Sequence, residues 1–92
     1  MKSGPRLMDP VTLADTEMIV ISAALGSKLH VVALVGCTAT VSKVDSADAI
    51  SHDTATQVTV DGSAAAAEST YDVVWPYYLV SASSASCRVC LT

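Results

Sequence analysis

The chain has 92 residues, nine Asp or Glu against five Lys or Arg, and a net charge of −4. Ala (14), Val (13), Ser (12) and Thr (9) make up 48 of the 92 residues, and there is no Phe or Asn. One compact domain is the upper bound at this length, the charge balance excludes a basic nucleic-acid footprint, and Leu, Ile and Val at 23 residues exclude a disordered composition.

Residues Met1–Asp15 read as an extended N-terminal arm, because Gly4-Pro5 and Asp9-Pro10 break any period. A single β domain is expected over 16–92. Its first part, Thr16–Leu25, is rich in β formers, and Lys28–Val35 is a second apolar run. Gly26-Ser27 between them predicts a two-residue type II′ hairpin. That register pairs Ile19 with Leu34 and Ile21 with Val32, and leaves both faces apolar. Such a hairpin would need cover on both sides.

Gly36 then predicts a bulge, a bend or a corner. In Cys37–Lys43 apolar and polar residues alternate, with Thr38, Thr40 and Ser42 on the wet face. Asp45–Thr54 reads as a polar loop with room for one helical turn, and His52 as an exposed loop residue. Its three aspartates lack the spacing and glycine of a calcium loop. Ala55–Asp61 alternates as a strand, with Val58 and Val60 on one side, and Asp61-Gly62 is a turn signal. Ser63–Thr70, with four consecutive alanines, predicts a short surface helix or loop.

Tyr71–Val80 holds all four aromatic residues, Tyr71, Trp75, Tyr77 and Tyr78. Pro76 breaks this strand or confines it to an edge. Ser81–Ser86 reads as a small polar link, and Cys87, Val89 and Leu91 as a last apolar face. The fold class is therefore mainly β: a small antiparallel sandwich or barrel-like domain with at most one short helix.

Chemistry is sparse. No nucleophile elbow, phosphate loop or dinucleotide glycine pattern is present. His30 reads as a hydrogen-bonded core histidine. Cys87-Arg88-Val89-Cys90 is formally a CxxC, but strand geometry sends its two sulfurs to opposite faces. Cys37, His30 and His52 offer no zinc spacing. Lys28 and His30 interrupt the tempting membrane segment Met18–Val41. No catalytic, cofactor or metal site, no nucleic acid and no membrane partner are expected.

Assembly is the stronger theme. Leu, Ile, Met, Trp and Tyr total 17 residues, so the core is thin, and charged residues are only 15% of the chain. Half-covered apolar sheets in a small domain resemble an obligate interface. Tyr and Trp bring large area with a polar tip, so Tyr71, Trp75, Tyr77 and Tyr78, with Leu7 and Met8 of the arm, are the candidate interface residues. Trp75 is also a candidate core anchor.

The loose arm, the short Ala/Ser/Thr/Val-rich strands and the absence of a catalytic motif resemble the small virion proteins of tailed bacteriophages, especially capsid decoration or cement proteins. The resemblance lies in general build and carries over no site residue. It implies a non-catalytic subunit located in the virion and assembled in the host cytoplasm. It also implies binding to coat or other virion proteins, as a homo-oligomer, with a trimer favoured. The alternative is a secreted or surface β-sandwich for adhesion. A redox or metal protein using Cys87 and Cys90, and a holin-like membrane peptide, complete the set.

Overall fold

The computed structural model describes residues 8–92. Eight strands follow one another: β1 (Met8–Leu13), β2 (Met18–Ser22), β3 (Lys28–Ala33), β4 (Thr38–Lys43), β5 (Val58–Asp61), β6 (Ala67–Asp72), β7 (Tyr77–Ser83) and β8 (Cys87–Leu91). They form two four-stranded sheets, ordered β1-β8-β3-β6 and β2-β7-β4-β5. Every neighbouring pair is antiparallel. The expected antiparallel β-sandwich is therefore present, without a helix among the described residues. The strand order is that of an eight-stranded jelly roll.

Alternation explains the core. Leu29, Val31 and Ala33 of β3 and Cys87, Val89 and Leu91 of β8 point inward from the first sheet. Ile21, Ala39, Val41, Val60, Tyr78, Val80 and Ala82 meet them from the second. Residues between these positions face outward, as the two-residue period of a strand requires.

Strand links alternate between the two ends. One end gathers the links 23–27, 44–57 and 73–76. Their backbones meet: Gly26 N donates to Val73 O (3.3 Å), Ala23 N to Pro76 O (2.8 Å) and Val44 N to Tyr77 O (3.1 Å). The opposite end gathers 14–17, 34–37, 62–66 and 84–86. There Gly36 N donates to Gly62 O and Gly62 N to Cys37 O, both at 2.8 Å, and Leu34 N donates to Ser86 O at 3.1 Å. We call these the loop end and the turn end.

Several expectations need correction. The 16–35 hairpin does not form: β2 pairs with β7, and β3 with β6 and β8, in the other sheet. The link 23–27 is too long for a two-residue turn, and its amides bond to the 73–76 link instead. Each strand buries one face against the opposite sheet, so neither needs cover on both sides. Gly36, at φ +91°, turns a corner between sheets, as one of its readings predicted.

The predicted helix or loop at 63–70 yields from Ala67 onward to β6, because the open edge of β3 supplies a full ladder from Lys28↔Asp72 to Ala33↔Ala67. Ser81–Ser83 belong to β7 rather than to a polar link. The expected arm also changes: Met8–Leu13 form β1, paired with β8. Leu7 lies outside the described residues, and of Met8 only the backbone pairing with Leu91 is described.

Candidate interaction surfaces

Two surfaces stand out, one on an edge and one at the loop end. Sheet edges carry unpaired amides and carbonyls, which proteins usually blunt with charge or proline. β1 contains Asp9 and Pro10, β5 contains Asp61, and β6 contains Glu68 and Asp72, where Asp72 also pairs with Lys28. The remaining edge, β2, reads Met-Ile-Val-Ile-Ser, with neither charge nor proline. Ile21 is buried and Ile19 packs on the core, while Val20 lies on the outer face and Met18 is 46% exposed.

The loop end is the second surface. Leu25, Ile50, Val74 and Trp75 are all exposed large hydrophobic residues, and all four lie in its links. Trp75 departs from its core-anchor reading: it is 39% exposed, and its indole Nε1 donates to Val44 O at 2.9 Å. Sequence reasoning missed Leu25, Ile50 and Val74. An exposed apolar residue in a link has no periodic partner, so no pattern singles it out.

The other aromatic candidates separate. Tyr71 and Tyr77 are half-buried, Tyr71 lining a recess of about 150 Å³ with Val58, Val74 and Tyr78. Tyr78 belongs to the protein's own core at 5% exposure, and its hydroxyl accepts from Val74 N at 3.0 Å. It therefore offers almost no surface to a partner, contrary to its interface assignment.

The 44–57 loop is buckled to the outer face of the second sheet by His52. Its Nδ1 lies 2.7 Å from Ser42 Oγ on β4, and its Nε2 lies 2.7 Å from Ser81 Oγ on β7. Asp53 N donates to the same Ser42 Oγ at 3.3 Å. Between these serines Leu79 faces outward yet is 0% exposed, and Ser42 is 1% exposed. Ser42 is thus not on a wet face, nor is His52 a free loop residue: the loop covers both. His30 is hydrogen-bonded, to Thr70 and Thr92 hydroxyls, but on the outer face of β3 rather than in the core.

A serine hydroxyl against an imidazole is half of a nucleophile–base pair. Here both ring nitrogens are taken by hydroxyls, no carboxylate orients the ring, and Ser42 is closed to solvent. The arrangement serves to hold a loop. One serine donates to the bare nitrogen and the other accepts from the N–H.

Burial pushes the His52 pKa below its ordinary value. A released loop takes up a proton near pH 6.5 that the buckled one resists. The buckle is therefore at full strength above about pH 7 and weakens as pH falls through about 6.5. Protection factors at residues 45–57, taken against the intrinsic amide exchange rate at each pH, are expected to be lower at pH 5.5 than at pH 8. His52→Ala is expected to lower them at both values and to remove most of their pH dependence. Equal protection of this loop at the two pH values in the wild type would contradict the buckle.

The cysteines behave as strand geometry requires. Cys87 is buried among core residues, and Cys90 is half-exposed on the opposite face. Burial, with the Cys37 thiol beside it, pushes the Cys87 pKa up to about 11, the reverse of an activated redox thiol. No protein-family model, curated protein or solved structure matches this chain.

Proposed function

We propose that the protein is a non-catalytic structural subunit of a symmetric assembly, most closely a bacteriophage virion protein of the decoration or cement type. Its role is to bridge neighbouring coat or virion subunits. The observation that carries this reading is β2, the one edge strand left without charge or proline. An uncharged apolar edge in a free monomer is an open template for strand addition. In an assembly that edge is paired, either with a second copy or with a coat-protein strand. Jelly rolls recur in viral capsid domains, an analogy of fold that supports this reading.

The test is to charge the edge. Val20→Lys places an ammonium on the outer face of β2, across from Leu79, and leaves the inward-facing Ile19 and Ile21 in place. Purified wild type is expected to sediment as an oligomer, or to co-sediment with capsid shells, and the variant as a monomer that no longer binds them. Thermal unfolding of the monomeric variant should stay within about 0.5 kcal/mol of a matched surface substitution. A wild-type chain that remains monomeric at high micromolar concentration and binds no shell would overturn the proposal.

A further inference from the structure

The geometry points to a neutral-saccharide binding site at the loop end, separate from the β2 edge and independent of the assembly proposed for it. Two hollows of about 260 and about 300 Å³ lie side by side there. They share one wall, made by Lys43, Asp45 and Asp53. Trp75 and Thr56 complete the first hollow. The second runs on to His52 and Ser46.

The indole is fixed before any ligand arrives. Its Nε1–H is committed to Val44 O at 2.9 Å. Pro76 follows it and narrows the backbone choices of Trp75. The residue nevertheless remains 39% exposed. A large aromatic surface held by its polar tip, and left uncovered, is a preorganised platform.

The polar groups around it are of mixed kind. Asp53 is held in place: Oδ1 accepts from Ala55 N at 3.0 Å and Oδ2 from Thr56 Oγ1 at 3.2 Å. Each of these oxygens keeps a second lone pair. The carboxylate of Asp45 and the ammonium of Lys43 have no side-chain partner among the described residues. The hollow therefore offers acceptors and a donor around one aromatic face.

That combination selects a ligand class. A pyranose has a C–H face that packs on an indole and a rim of hydroxyls that both donate and accept. An apolar peptide side chain or a lipid tail would cover the Asp45 carboxylate and the Lys43 ammonium without giving either a partner, at a desolvation cost. A simple cation would meet Lys43 as well as the two aspartates. A phosphate or acidic sugar would meet the aspartates. A neutral hexose satisfies all of them.

Trp75 is the only tryptophan, so its fluorescence reads the site directly. The probes are trisaccharides of glucose, galactose, mannose and N-acetylglucosamine, with choline as a cation control. At least one trisaccharide is expected to shift Trp75 emission saturably in the millimolar range. NMR shifts should then map to residues 43–56 and 75. Asp45→Asn should weaken binding several-fold without altering the unfolding midpoint. Trp75→Ala, followed by NMR, should weaken it about tenfold or more. The Val20→Lys variant should bind unchanged, which separates this site from the assembly reading. No saturable shift with any of the four, tighter binding of choline, or binding that survives Trp75→Ala would each overturn the proposal.

Discussion

Leu29→Ala is expected to cost about 2–5 kcal/mol, the range for truncating a fully buried leucine. Leu29 lies on β3, between β6 and β8, and is 0% exposed. Small domains hold roughly 5–15 kcal/mol in total. This core is built largely of Val, Ala and Cys, with few side chains large enough to collapse into a void. The variant should therefore unfold at a much lower urea concentration, or fail to accumulate folded. Leu25→Ala, at 72% exposure, is the matched control and should stay within about 0.5 kcal/mol. Equal loss in the two variants would mean that the sandwich core is not where these residues place it.

Gly62→Ala is the second large effect, and it comes from a single methyl group. A Cβ at this position would sit 2.8 Å from the carbonyl oxygens of both Ala33 and Leu34, and 2.9 Å from Ala33 Cβ. Two of these atoms are backbone and cannot rotate aside. Gly62 also exchanges hydrogen bonds with the neighbouring corner, from Gly36 N and to Cys37 O. Relieving the clash would pull that pair apart. The expected cost is about 1–3 kcal/mol, read by thermal unfolding. Ser63→Ala, one residue on and exposed, should be nearly neutral. The Ser63 hydroxyl and, after it, the Ser63 amide hold the Asp61 carboxyl below the usual carboxylate range, and the hydrogen bond from the amide, at 3.0 Å, survives the substitution.

Much of the fold was legible in alternation. Cys87, Val89 and Leu91 read as an inward face and are one. Ala39 and Val41 against Thr38 and Thr40 likewise predict the inward side of β4. A period of two says which face is buried but not which strand lies alongside. Gly26-Ser27 is chemically suited to a hairpin, yet the strands it joins belong to different sheets. The alanines at 64–67 favour a helix in isolation, but Ala67 onward is claimed by the ladder with β3.

The surfaces were less legible. The clustering of aromatic residues singled out one segment, and within it Trp75 is exposed while Tyr78 is core. That division follows from the Val73–Pro76 turn, which resets the face after Pro76. The role of His52 depends on Ser42 and Ser81, ten and 29 residues away. No local pattern reports such a meeting.

Only one pair of strands consecutive in sequence, β4 and β5, also lies side by side; every other link crosses from sheet to sheet. This has a consequence in time. β8 is the bridge between β1 and β3, so the first sheet stays divided until β8 has left the ribosome. The exposed edge of β2 likewise has no inner neighbour until β7 is made. Long-range pairing of this kind is slow to nucleate, on the order of milliseconds to seconds. A nascent chain therefore presents no finished β2 edge until β7 has been made and has paired with it.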